Sequence, residues 1–235
     1  MIAYDGSAYF GFQKQTETSQ TVVSSLENAL YSLGIDAPVI GSGRTDTGVH
    51  ASGQVIHFDL PLYWNDLERL KTNLNRKLHE IRVKHICKTD DDFHARFDAK
   101  KRIYRYVFKT KTPSVFEQKY ISAYAPFDAS VLVRALKLFE GKHDFAFFHK
   151  SGSDTHTTVR EVYQTRYLQR DGYHFIYFIA NGFLRSQVRM MVQSAMACAK
   201  REMTIDALKE QLACIKKHNH RLAPPQGLYL ARVIY

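Results

Sequence analysis

Cysteine is scarce in this chain. Cys87, Cys198 and Cys214 are scattered without CxxC spacing, which argues against a disulfide framework and a zinc site, so all three read as small hydrophobes. No run of about 18 apolar residues occurs, and no basic-then-apolar leader opens the sequence. A membrane span is not expected, and the cytoplasm is the expected location. Phosphate loop, dinucleotide fingerprint and metal-ligand spacing are also missing. The one close histidine pair, His218 and His220, sits among lysines, where solvation accounts for it. Such a sequence fits chemistry that requires neither cofactor nor metal.

Acidic residues are short on one side only. The net charge is +10. Residues 1–100 hold 11 Lys and Arg against 13 Asp and Glu, a balance of −2, whereas residues 101–235 hold 22 against 10, a balance of +12. Such a skew points to a polyanionic partner bound chiefly by the second half. With 235 residues, 45% of them hydrophobic, the chain can bury one large core or two small ones.

What is present centres on Gly41-Ser-Gly-Arg-Thr-Asp-Thr-Gly-Val-His-Ala51. Three glycines surround Arg44 and Asp46 between the β-prone runs Pro38 to Ile40 and Gln54 to Leu60. The segment reads as a loop that offers Asp46 to a ligand. A bare Thr-Asp-Thr-Gly is better served by a turn whose Asp bonds its own backbone. The longer string Gly43-Arg-Thr-Asp-x-Gly-Val-His-Ala51, followed by Gly53-Gln-Val and His57-Phe58, resembles the catalytic signature of the TruA family of transfer-RNA pseudouridine synthases.

Further stretches carry the same resemblance. Tyr4-Asp-Gly with Ala8-Tyr-Phe-Gly-Phe-Gln-Lys-Gln15 is similar to the family's opening, with Phe12 where tryptophan is usual. Phe93-His-Ala-Arg-Phe97, the Arg102-x-Tyr-x-Tyr106 run, Gly141-Lys-His-Asp-Phe145 with Phe148, and Ala223-Pro-Pro-Gln-Gly-Leu-Tyr-Leu230 all match family strings. Gly182-Phe-Leu-Arg-Ser-Gln-Val-Arg-Met-Met-Val192 matches another, with Gln187 and Gln193 departing from the usual Met and Gly. His79 stands where the family has proline, so a loop change is expected there.

Periodicity supplies the elements. A short strand ends at Tyr4; Thr21 to Leu33 has apolar residues at helical spacing, closed by Gly34; and Gln54 to Leu60 alternates as a half-buried strand. Asn65 and Glu68 resemble a capping box that opens a helix with Leu67, Leu70, Leu74 and Leu78 buried, and Ile81 to Cys87 alternates again. In the second half, Arg102, Tyr104, Tyr106 and Phe108 share one face of a strand and could stack unpaired bases, or could simply be core. Asp128 caps a helix ending before Gly141. Lys150 to Thr158 reads as a mobile loop. Two strands, Val159 to Gln169 and Tyr173 to Ala180, flank an Asp171-Gly172 hairpin turn. Helices from Leu184 or Ser186 to about Arg201 and from Ile205 to about Lys216 precede a last strand from Gly227 to Tyr235.

Each half thus runs strand, helix, strand, strand, helix, strand, with one extra helix in the second. The expected fold class is α+β: two ferredoxin-like, split βαβ subdomains, 1–99 and 100–235, whose antiparallel sheets join. Forming pseudouridine needs an ionised carboxylate nucleophile, a surface that holds the base, and a pocket without water. Asp46 is the candidate nucleophile. A carboxylate taken from water needs a cation to stay ionised. Arg189, bracketed by Val188, Val192 and Met196 and aligned with the family's arginine, is the candidate, and Arg185 is its rival. The resemblance implies Tyr104 as the active-site tyrosine, transfer RNA as partner, uridines 38, 39 and 40 of the anticodon stem-loop as targets, and a homodimer. Arg44, His50, Arg102 and Arg185 are the candidate RNA contacts. Two other classes compete: a non-catalytic RNA-binding protein, which has no use for Asp46 in a tight loop, and a nucleoside glycosidase, which would want a second acid and no +12 half.

Overall fold

The computed structural model describes residues 1–152 and 155–235. Backbone contacts divide the chain into two units, Met1–Lys100 with Leu230–Tyr235, and Lys101–Tyr229. The first contains β1 (Ile2–Tyr4), α1 (Val22–Tyr31), β2 (Ile40–Gly41), β3 (His50–Gln54), β4 (Ile56–His57), α2 (Leu67–Lys77) and β5 (Ile81–Val83). The second contains β6 (Lys101–Lys109), β7 (Ser122–Ala123), α3 (Ala129–Lys137), β8 (Gly141–Asp144), β9 (Val159–Arg170), β10 (Tyr173–Ala180), α4 (Gln187–Ala199) and α5 (Ile205–Leu212). A final strand, β11 (Leu228–Ile234), begins in the second unit and continues in the first. The fold class is α+β.

In the first unit the strands lie in the order β5-β1-β3-β11, with β1 antiparallel to both β3 and β5. The place beside β3 that a split βαβ repeat gives to its second strand is taken by β11. β2 instead pairs with β4 as a separate two-stranded ribbon, Ile40 opposite His57 and Gly41 opposite Ile56. The alternating segment expected over Gln54 to Leu60 is therefore two pieces, and the sheet strand starts earlier, at His50. Gly53 explains the close fit, because a Cβ there would stand 2.4 Å from the Ala231 carbonyl oxygen.

α1 buries Val22, Val23, Leu26, Ala29 and Leu30 and is capped by Thr21, whose side chain accepts from Ser24 N at 3.2 Å. α2 is capped one residue later than expected. Asp66 Oδ1, not Asn65, accepts from Arg69 N at 2.8 Å. The His79 loop is short and tied by Asn75, which accepts from Val83 N at 2.7 Å and donates to Val83 O at 3.0 Å, as an extra strand would.

In the second unit the order is β6-β10-β9-β8, antiparallel throughout, with β7 parallel to β6. Asp171 and Gly172 both have positive φ, 52° and 79°, as a tight hairpin turn between β9 and β10 demands. α4 is buried on nearly every side, including Val188, Met190, Met191, Val192, Ala195 and Met196. The expected loop over Lys150 to Thr158 includes Ser153 and Asp154, which lie outside the described residues. Among the described residues no helix is long and apolar enough to cross a membrane.

Candidate active site

Asp46 occupies a loop braced on both sides. Ser42 N donates to Val55 O at 2.9 Å, and buried Gln54 holds the stem twice, accepting from Ser42 Oγ at 2.6 Å and donating to Gly43 O at 2.7 Å. Phe12, 2% exposed, lies under Gly41, where a Cβ would come within 2.3 Å of its ring. Phe12 thus fits beneath a glycine that leaves it room. Thr45 is fixed from two directions: its hydroxyl meets Tyr4 OH at 2.8 Å, and its carbonyl accepts from Phe12 N at 3.1 Å. Beyond Asp46, Val49 N donates to the Asp46 carbonyl at 3.1 Å and Gly48 takes a φ of 75°, which turns the chain into β3. The Asp46 side chain is half-buried. Little backbone freedom remains to move it.

His50 and Arg44, both expected to contact RNA, have different surroundings. Arg44 is exposed. His50 is 1% exposed, and its Nδ1 accepts from Gly6 N at 2.9 Å. The Asp5 carboxylate lies 3.3 Å from the same nitrogen. His50 is thus buried beside the Gly6 turn. Gly6 itself fits against the Val49 carbonyl, 2.0 Å from where its Cβ would be.

In the second unit, β6 puts Arg102, Tyr104, Tyr106 and Phe108 on one face, as the alternation predicts, but the face is mostly interior. Tyr106 and Phe108 are wholly buried, while Tyr104 keeps 7% exposure and meets Phe183 edge-on at 5.1 Å. Arg102 is 9% exposed and donates to Asn181 O at 2.9 Å. Burial raises the Tyr106 hydroxyl to about 12 and raises that of Tyr124 further still, against the opposing pull of the Arg189 charge on each. Both phenols remain protonated donors. Pro224 O accepts from Tyr106 at 3.0 Å, and Tyr124 OH lies 3.2 Å from Gln193 Oε1. The family's missing glycine at 193 is thus replaced by a residue with a partner.

Arg189 is strapped to the chain's last motif. Its Nε donates to Ala223 O at 2.8 Å and its carbonyl accepts from Ala223 N at 3.1 Å. Ser186, with φ 59°, turns the chain into α4, and Gln187 stabilises that turn by accepting from Leu184 N at 2.7 Å. Arg185 is exposed and reaches Ser151 O at 3.3 Å. Sequence reasoning singled out Asp46 and Arg189 as candidates but did not point to the contacts that Tyr4, Gln54 and Ala223 make to them and their loop, or to Tyr124. Ala223 had a signal, the Ala-Pro-Pro motif, whereas Tyr124 had none. Among the described residues no group of three or more His, Cys, Asp or Glu side chains gathers as a metal site would.

A family model described as tRNA pseudouridine synthase matches residues 1–98 and 135–235, which include Asp46, Arg185 and Arg189 but not Tyr104. The chain belongs to that family of isomerases. Its relatives are named more particularly. The tRNA pseudouridine synthase A of Campylobacter jejuni subsp. jejuni serotype O:6 is 42% identical over 236 residues, covering 100% of this chain and 98% of the relative. That of Helicobacter hepaticus is 39% identical over 241 residues, covering 100% and 97%. That of Lactococcus lactis subsp. cremoris is 39% identical over 243 residues, covering 100% and 95%.

Proposed function

We propose that this protein converts uridine to pseudouridine in transfer RNA, at positions 38, 39 and 40 of the anticodon stem-loop, with Asp46 as nucleophile. The observation that supports this most is the bracing of the Asp46 loop at Ser42, Gly43, Thr45 and Val49, beside a family match that includes the loop. A loop that merely turned the chain would not need Gln54, Phe12 and Tyr4 to hold the residues just before the aspartate and Val49 N to hold its carbonyl. The reaction breaks the bond from N1 to the sugar and makes one from C5. C5 gives up its hydrogen and N1 takes a proton, so nothing else is consumed. Arg189 supplies the positive charge that keeps the carboxylate ionised once water leaves, and Tyr104, with a small exposed edge, contacts the base. Arg44 and Arg185, exposed, meet phosphate. The first unit carries the nucleophile and the basic second unit most of the RNA footprint, with two copies of the chain sharing one RNA.

Release of tritium from C5 of uridine-labelled transfer RNA tests the reading. Asp46→Asn keeps the size and turn-forming ability of the residue but removes its charge. We expect normal folding, normal RNA affinity and no release. Asp46→Glu should fall by about 100-fold, since a displacement near 1 Å suffices for that. Normal release by a folded Asp46→Asn protein would remove Asp46 from the chemistry.

A further inference from the structure

The motif Phe93-His-Ala-Arg-Phe97 has no part in the chemistry just described, yet it builds a distinct surface in the first unit. Phe97 is 73% exposed. It is not loosely placed: its ring stacks on His94 with centroids 4.2 Å apart and planes 26° from parallel, and the Arg96 guanidinium lies 5.6 Å from its centre. His94 meets His57 at 5.0 Å, and His57 meets Phe93 edge-on at 6.1 Å.

Backbone amides hold both imidazoles. His94 Nδ1 accepts from Arg96 N at 3.1 Å and Phe97 N at 3.2 Å, and His57 Nδ1 accepts from Ala95 N at 3.1 Å. These bonds fix the plane of each ring. Below the stack, Asp98 Oδ2 accepts from His94 N at 2.7 Å, and Tyr235 OH donates to Ala95 O at 2.7 Å. A large ring is thus fixed in solvent by a turn that uses its polar groups to hold it there.

Position gives the stack a purpose. His57 is in β4 opposite Ile40 of β2, and β2 leads directly into the Asp46 loop. One short ribbon carries His57, which touches the stack through His94, and leads into the Asp46 loop. We propose that the Phe97–His94 stack is a platform for an unpaired base of the RNA, next to the nucleotide that Asp46 attacks. The platform presupposes an RNA substrate. Exposed rings and guanidinium planes are the surfaces on which unstacked bases lie, and such stacking tolerates any base. Phosphate is the poorer occupant, because the exposed carboxylates Asp90, Asp91, Asp92 and Asp98 flank the motif. An apolar protein surface also fits poorly, since the exposed residues of the turn, Arg96, Phe97 and Asp98, form one ring between charges rather than a patch.

Full-length Phe97→Ala, Phe97→Leu and Phe97→Trp, titrated with a transfer-RNA transcript, test this. Phe97→Ala and Phe97→Leu should each bind roughly 10-fold more weakly, with an unchanged thermal melt and an unchanged dependence of affinity on salt. Phe97→Trp should bind as the wild type does, and its added fluorescence, above that of Trp64, should be quenched by RNA. Wild-type binding and tritium release in Phe97→Ala would overturn the platform, as would full rescue by leucine, which has bulk without a π face. A lower oligomeric state of Phe97→Ala in sedimentation would also overturn it, assigning the ring to a contact between copies. If the wild type itself neither binds nor modifies transfer RNA, the substrate reading fails, and the platform fails with it.

Discussion

At the scale of single residues, the two arginines of the Phe183–Val192 stretch differ in their surroundings. Arg189 is partly covered and pinned by Ala223 through its side chain and its carbonyl, so it cannot follow a flexible phosphate. Arg185 is exposed and donates to the Ser151 carbonyl at 3.3 Å. Arg189→Met should therefore cut turnover by at least 100-fold while changing RNA affinity little, because it removes a charge needed only once the aspartate is desolvated. Arg185→Ala should raise Kd several-fold and spare the turnover of bound RNA. Single-turnover rates at saturating enzyme, alongside filter-binding constants, separate the two. The opposite pattern would exchange the roles. Lysine at 189 is not a neutral replacement, since a single ammonium cannot reproduce the Nε bond to Ala223 and a second interaction in the same plane.

Elements divide into those the sequence declares and those it hides. The helices were legible because their caps and apolar stripes are local; α1, α3 and α5 start at Thr21, Asp128 and Thr204 by side-chain capping bonds. The start of α2 was misread by one residue, since Asn65 and Asp66 both suit an N-cap and only the fold chooses. Asp66→Ala should accordingly cost about 1 kcal/mol of stability, and Asn65→Ala next to nothing, in urea unfolding monitored by circular dichroism. β3 was hidden because Gly53 and its small neighbours read as loop, whereas the missing Cβ is what admits the Ala231 carbonyl. The Asp46 loop stood out in the sequence by its glycines and the family string. Its braces did not, because Tyr4 reaches Thr45 across 41 positions and no periodicity records such a contact.

The loop between β6 and β7 offers a second test at this scale. Glu117 accepts from Lys109 Nζ at 2.6 Å, from Ser114 N at 2.9 Å and from the Tyr173 hydroxyl, and these bonds lower its pKa from 4.5 to about 2. A depressed carboxylate contributes stability that is complete above its ordinary pKa and is lost as pH falls through its folded one. The wild type should therefore lose more of its melting temperature between pH 5 and pH 2 than Glu117→Gln, which has nothing there to protonate. Equal losses would mean that the clamp does not persist in solution.

For the whole molecule, charge is the property that single contacts do not explain. The second half has 22 basic residues against 10 acidic. Several of those acids are already paired, Glu117 with Lys109, Glu140 with Lys137, Asp206 with Lys209 and Glu202 with Lys200, and each pair removes one charge of either sign. The excess of +12 survives all such pairing. A polyanion bound by this excess releases counterions, so log affinity should fall linearly with log salt, by about 0.9 per phosphate on duplex and about 0.7 on single strands. A footprint of roughly six phosphates predicts a slope near −5 and a loss on the order of 1,000-fold between 50 and 200 mM salt. Variants then sort by mechanism. Arg185→Ala should reduce the slope by about one, as the loss of a phosphate contact does. Phe97→Ala should weaken binding at every salt concentration without changing the slope. Asp46→Asn should change neither affinity nor slope. A flat salt dependence in the wild type would mean that the basic half does not bind the RNA backbone, whatever the Asp46 loop does.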